Sequence, residues 1–254
     1  MRDCCGKKKK CPPGMPVPQA PCDTCPPLAP VQTSHSFGAV LSNNEAFESF
    51  TNTVGIGQAI ITPSPNALGV LTQVTTGGSL PFGDSATVQI VSVQTAVVDL
   101  GTEDFCFCFD INVVQAQVDD IFFAGYNFFI RLAGSAGNII DVAFDVSGSW
   151  SVFAQGRDIP VGQSEFQNVA NFTPVIIGIN TVQVCGTRTG PSTGVLTVVV
   201  NGVDSGLPPF NIQYFEGSAN LLIGQNAISF TPGFGAVLDT ELGSFCLQAG
   251  PDTV

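Results

Sequence analysis

Nine cysteines and a single histidine are the residues of this chain with chemistry to offer. Cys4, Cys5, Cys11, Cys22 and Cys25 lie near the N-terminus, and Cys106, Cys108, Cys185 and Cys246 lie in the remainder. Cys22-Asp-Thr-Cys25 has CxxC spacing, but its prolines and Asp23 supply neither a helix start nor a positive charge to lower a thiolate pKa. A zinc site would need two further ligands, for which Cys4, Cys5 and Cys11 are at hand. Cys-His or Ser-His-Asp catalysis lacks a base, because His35 stands in a linker. Cross-linking is the chemistry left, and an odd number of thiols leaves at least one free or bound to another chain.

One strand positions two of these thiols. In Asp104-Phe-Cys-Phe-Cys-Phe-Asp-Ile-Asn-Val113, period two puts Phe105, Phe107, Phe109, Ile111 and Val113 on one face. Asp104, Cys106, Cys108, Asp110 and Asn112 take the other. The first face reads as a core wall and the second as an outward, reactive surface.

The nine-thiol chain has 254 residues, 28 Gly, 18 Pro and 20 Phe, with only 11% charged residues, and no sustained helical period. That composition favours one all-β domain with many turns. Net charge is −12, yet Arg2 and Lys7 to Lys10 against Asp3 leave the first ten residues at +4 and the other 244 at −16. An acidic body repels phosphates, so nucleic acid is not an expected partner. The basic head of one molecule, Lys7, Lys8, Lys9 and Lys10, is instead suited to the acidic body of another. No apolar run long enough to span a membrane and no secretory signal is present, so the expectation is cytoplasmic synthesis followed by release to an oxidising exterior.

Residues 1–34 read as an extended Cys/Pro-rich connector, 35–42 as a linker, 43–249 as the globular body and 250–254 as a tail. Proline at the density of the connector fixes φ and removes donors, which gives a polyproline-like tether. Strands are expected at 45–50, 55–61, 69–74, 87–100, 105–113, 127–132, 139–146, 150–155, 175–185, 194–200, 220–224 and 242–247. Val198-Val-Val-Asn201-Gly202-Val203 is the clearest hairpin, with Asn-Gly at its turn.

The succession Phe105-Cys-Phe-Cys-Phe-Asp-Ile, Thr181-Val-Gln-Val-Cys-Gly-Thr-Arg188-Thr-Gly190, Leu196-Thr-Val-Val-Val-Asn201-Gly202-Val203, Leu221-Leu-Ile-Gly224 and Ser244-Phe-Cys-Leu resembles the laminin-G-like, concanavalin-type family. The resemblance implies a jelly roll with meeting first and last strands, Phe245 and Leu247 inward beside Phe105 and Phe107, and Cys106, Cys108, Cys185 and Cys246 outward. A local alternative pairs Cys106 or Cys108 with Cys246 across neighbouring strands. The layout is also similar to that of bacterial endospore-appendage subunits, whose Cys-bearing connector precedes a jelly roll.

The acidic E-x-D-x-x-E strand of concanavalin-type glycosidases is missing; Asp239-Thr-Glu241 is the nearest approach and reads as the edge of the closing strand. No enzyme activity is therefore expected. The loops at Asp84 and Asp119-Asp120 offer oxygen ligands for calcium without a dense Asp/Asn run, so no metal or cofactor is expected. Trp150 reads as a packing residue rather than a sugar platform. The sequence thus points to a non-enzymatic, self-assembling subunit of an extracellular fibre, spore or virion surface, docked through the arm and locked by disulfides. The alternative is a lectin-like module that binds a glycan or surface receptor.

Overall fold

The computed structural model describes residues 31–36, 47–63, 70–77, 84–92, 97–99, 103–134, 137–156, 165–215 and 217–251. The strands are β1 (Val31–Ser36), β2 (Phe47–Val54), β3 (Gln58–Pro63), β4 (Val70–Thr75), β5 (Asp84–Ser92) and β6 (Val97–Asp99). There follow β7 (Glu103–Val118), β8 (Ala124–Gly134), β9 (Ile139–Asp145), β10 (Ser149–Gln155), β11 (Phe166–Pro174) and β12 (Gly178–Gly190). The set closes with β13 (Thr193–Val200), β14 (Val203–Asp204), β15 (Phe210–Asn211), β16 (Ser218–Ser229) and β17 (Ala236–Pro251). Among the described residues a short 3₁₀ turn, Ile212–Phe215, lies between β15 and β16.

These strands form two antiparallel sheets, one of nine strands in the order β14-β13-β12-β7-β17-β4-β3 and one of eight in the order β11-β10-β9-β8-β16-β5-β2. β1 pairs with β17 and β15 with β13 in the first; β6 pairs with β16 in the second. Alternation explains the layering. Phe105, Phe107, Phe109, Ile111 and Val113 of β7 are all buried, as are Phe128, Ile130 and Leu132 of β8 and Ile140, Val142 and Phe144 of β9. Removing these apolar faces from water on both sides holds the sheets together. Trp150 lies wholly inside, edge-on to Phe144 at 4.8 Å between ring centres, as the packing reading expects.

Two polar devices cross this core. Thr240 Oγ1 donates to Gln225 Oε1 at 2.7 Å, and Gln225 Nε2 donates to the Leu238 carbonyl at 3.2 Å, which ties β17 to β16 in the opposite sheet. Asn180, fully buried at the start of β12, accepts from Trp150 Nε1, the Ile176 amide and Asn201 Nδ2 on Oδ1, and donates to the Ile176 and Gly178 carbonyls. Buried polar groups stabilise a sandwich only when satisfied, and these are.

The Asn201-Gly202 hairpin has φ of 53° and 80°, the positive pair that its turn requires. Other expectations change. Val31–Ser36 is a strand whose Ser34 and His35 lie opposite Cys246 and Phe245 of β17, so the connector and linker reading gives way there to sheet. The 87–100 segment divides into β5 and β6, and β11 forms where the residue pattern predicts no strand. β17 runs 16 residues rather than six, with register shifts at Asp239/Thr240 and Leu242/Phe245.

Candidate functional site

The outer face of the nine-stranded sheet carries both the thiols and the acids. Cys106 and Cys185 stand directly opposite each other on β7 and β12 and are joined by a disulfide. Cys108 is disulfide-bonded as well. Exposure is 0% at Cys106 and Cys108 and 6% at Cys185, which corrects the outward, solvent-facing reading. Parity assigns the right face, but a cross-strand bridge lies flat on the sheet. The Gln183 amide covers it, with Nε2 at 3.4 Å from Cys185 Sγ and 3.7 Å from Cys106 Sγ. Cys106 therefore does not pair with Cys246. The backbone of Cys246 is opposite Cys108 in register. Cys4, Cys5, Cys11, Cys22, Cys25, Lys7, Lys8, Lys9 and Lys10, like the side chain of Cys246, lie outside the described residues.

Beyond the thiols, the same face bears a row of acids and amides. On β7, Asp110 Oδ1 accepts from Thr181 Oγ1 at 2.9 Å, and Asn112 Nδ2 donates to Glu241 Oε2 at 2.6 Å. One strand further, Gln73 Nε2 of β4 donates to Asp239 Oδ2 at 2.9 Å. Gln115 stands across from Asp239, and Gln115 and Gln117 are exposed. Asp239 and Glu241 thus lie within β17, between β4 and β7, rather than at the edge of the closing strand as the sequence suggests. Glu241 is 1% exposed. Exposed Ile60, Val114 and Ile179 flank the row.

The second oxygen of Asp239, Oδ1, is buried and accepts no hydrogen bond from the protein. An acceptor left in that condition costs free energy until a donor reaches it. Burial pushes the Asp239 carboxyl above the usual carboxylate range despite the Gln73 amide, and burial likewise raises Asp110 despite the Thr181 hydroxyl. Asp110 stands on the chemically active face by sequence parity alone; Gln73, Thr181 and Gln115 carry no such mark. The inward alternation Val70, Thr72, Val74 on β4 is the signal that places Gln73 beside the acids.

The loop carboxylates at calcium-like positions serve backbone amides instead. Asp84 Oδ1 accepts from the Gly57 amide and Oδ2 from the Gly77 amide; Asp119 Oδ2 takes the Gly235 amide and Asp120 Oδ1 the Phe122 amide. Among the described residues no three His, Cys, Asp or Glu side chains converge as metal ligands.

No protein-family model matches the chain, and no curated protein matches it in sequence. Solved structures match it in fold. An endo-1,3-β-glucanase from Streptomyces sioyaensis superposes with a TM-score of 0.52 at 9% identity, over 93% of this chain and 99% of that one. The fold is a concanavalin-type jelly roll. An endo-β-1,4-glucuronan lyase from Trichoderma reesei follows at TM-score 0.48 and 11% identity, over 88% of this chain and 96% of that one. Winged bean acidic lectin, complexed with methyl-α-D-galactose, gives 0.43 and 13%, over 86% and 99%.

The acids of this jelly roll make its stability depend on pH. A carboxyl whose pKa is raised by folding favours the folded state while protonated. That contribution is complete below the unfolded value, about pH 4, and is lost as pH rises through the folded one. Asp239→Asn, which keeps the acceptor for Gln73 and removes the charge, is expected to match wild type in thermal melts at about pH 3 and to exceed it at about pH 7. Parallel pH profiles for the two proteins would refute the desolvated carboxylate.

Proposed function

We propose that the chain is a carbohydrate-binding jelly-roll module that holds a glycan along the acid and amide row of its nine-stranded sheet. The observation that carries this reading is Asp239 Oδ1, a buried acceptor with no protein donor, between Gln73 and Gln115, with the Glu241–Asn112 pair next along the same row. Carboxylates accept from sugar hydroxyls while amides both donate and accept, so such a row matches a polyhydroxylated chain. Ile60, Val114 and Ile179 offer apolar surface for the C–H faces of the rings.

Binding without cleavage is the form favoured here. Glycoside hydrolysis needs two carboxyls that reach the scissile bond, whereas Glu241 is buried and held by Asn112. The glucanase that shares this fold acts on 1,3-β-glucan by its name, which makes soluble 1,3-β-glucan oligosaccharides the first probe, followed by a glycan array. Calorimetric titration is expected to show binding that weakens at least about tenfold in Asp239→Asn, the loss of one charge-assisted hydrogen bond. Absence of binding across the array removes the proposal, and new reducing ends during incubation would replace binding by hydrolysis.

The second reading, a self-assembling subunit of an extracellular fibre or of a spore or virion surface, draws on the uneven charge and the proline-rich arm. Its cross-linking scheme needs different anchors now, because Cys106 and Cys185 bond to each other. A gel of boiled protein with and without reductant tests it; a 26.4 kDa monomer in both lanes ends the covalent form.

A further inference from the structure

The two ends of the sandwich differ in chemistry. At one end gather the turns β2–β3, β7–β8, β9–β10, β11–β12, β13–β14 and β16–β17. Their adjacency is fixed by Phe230 N donating to Phe123 O, Asp119 N to Gly235 O and Val175 N to Gly148 O, and by Val54 standing opposite Ser85. Ile56, Ile121, Phe122, Phe230, Ile176 and Ile177 of these turns are exposed, Phe122 at 80%. Large apolar side chains exposed on several turn tips of one end mark it as an interaction surface.

What it meets is set by charge and by chain direction. Asp119, Asp145 and Asp204 are exposed around these tips and Asp120 is half-buried, while the described cations lie elsewhere. Arg131 is bound to Asp141 in mid-sheet, and Arg188 stands opposite Gly194 at the other end. An acidic rim disfavours both an anionic lipid surface and a second copy of the same rim. The sequence Lys7-Lys-Lys-Lys10-Cys-Pro-Pro-Gly-Met-Pro-Val-Pro18 is complementary, with four cations followed by a proline-rich apolar run. Segments of that kind dock onto exposed aromatic side chains in polyproline form. β1 runs from Val31, opposite Gln248, to Ser36, opposite Ser244, so Val31, at the start of the strand, is its residue farthest from the apolar tips.

We propose that the apolar turn end of one molecule receives residues 7–18 of a second copy, a head-to-tail contact that adds subunits in one direction. A heterologous contact of this sort does not close on itself and grows a filament. It is separate from the sheet face assigned to glycan, so Phe122→Ser should leave glycan binding untouched.

Sedimentation of the full chain under mild reductant tests the contact without disulfides. Wild type is expected to form species larger than monomer whose share rises with concentration and falls with salt. Phe122→Ser, and separately a variant with Lys7 to Lys10 replaced by Gln, should each weaken this self-association at least about tenfold while circular dichroism stays unchanged. Mixing the two variants should restore a one-to-one pair, because one keeps the arm and the other the apolar end. Four results overturn the proposal: a wild-type monomer at every concentration; association that needs Phe122 but not the lysines; lysine-dependent protection of the turns independent of concentration; or monomers that bind phosphatidylserine vesicles through Phe122.

Discussion

Asn180→Ala is expected to lower the free energy of unfolding by about 3 kcal/mol, the largest effect of any single polar side chain in the described core. The substitution strands five partners at once: the Trp150 indole N–H, the Ile176 amide, the Asn201 side-chain amide, and the carbonyls of Ile176 and Gly178. Urea unfolding checks it through a lowered midpoint with an unchanged slope. Because Asn180 also ties the β11–β12 turn to the Asn201-Gly202 hairpin, amide exchange at Ile176 should quicken beyond what the global loss explains. A stability within about 0.5 kcal/mol of wild type would mean that water replaces the side chain without cost.

Removing the Cys106–Cys185 bridge comes second. The two residues are 79 apart in sequence, and closing a loop of that length restricts the unfolded chain. The double substitution Cys106→Ala and Cys185→Ala is expected to cost about 2–4 kcal/mol, measured by denaturant unfolding in the absence of reductant. Cys106→Ala alone should be no milder, since it leaves Cys185 as an unpaired buried thiol open to wrong pairing. If the double variant were as stable as wild type yet no longer assembled, the cysteines would act between molecules instead.

The layering of the fold was readable because the sandwich filled it with strict alternation. β7 announced its buried face through three phenylalanines at period two, and Asn201-Gly202 announced its turn through residues that accept positive φ. β11 was hidden for the opposite reason: Phe166–Pro174 has no clean alternation and carries Asn171 at φ 54°, where the pairing with β10 shifts register. The site was half legible. Period two put Cys106, Cys108, Asp110 and Asn112 on one face correctly, but parity says nothing about what lies beside a residue. That Cys185 faces Cys106, and that Glu241 faces Asn112, are matters of register between residues 79 and 129 positions apart. The register of β17 is moreover displaced twice by bulges, and no single-strand pattern reveals that.

The position of β17 has a further consequence for how the chain is made. β7 is flanked by β12 on one side and by β17 on the other, and β17 also receives β4 and β1. On a ribosome, β7 emerges well before residues 236–251, and for that interval the edge that β17 will take waits without a neighbour. Such long-range pairing predicts slow refolding and a nascent chain prone to stick to others at high concentration. Translation speed and chaperone supply late in synthesis should therefore govern the yield of folded protein more than the stability of the finished sandwich does.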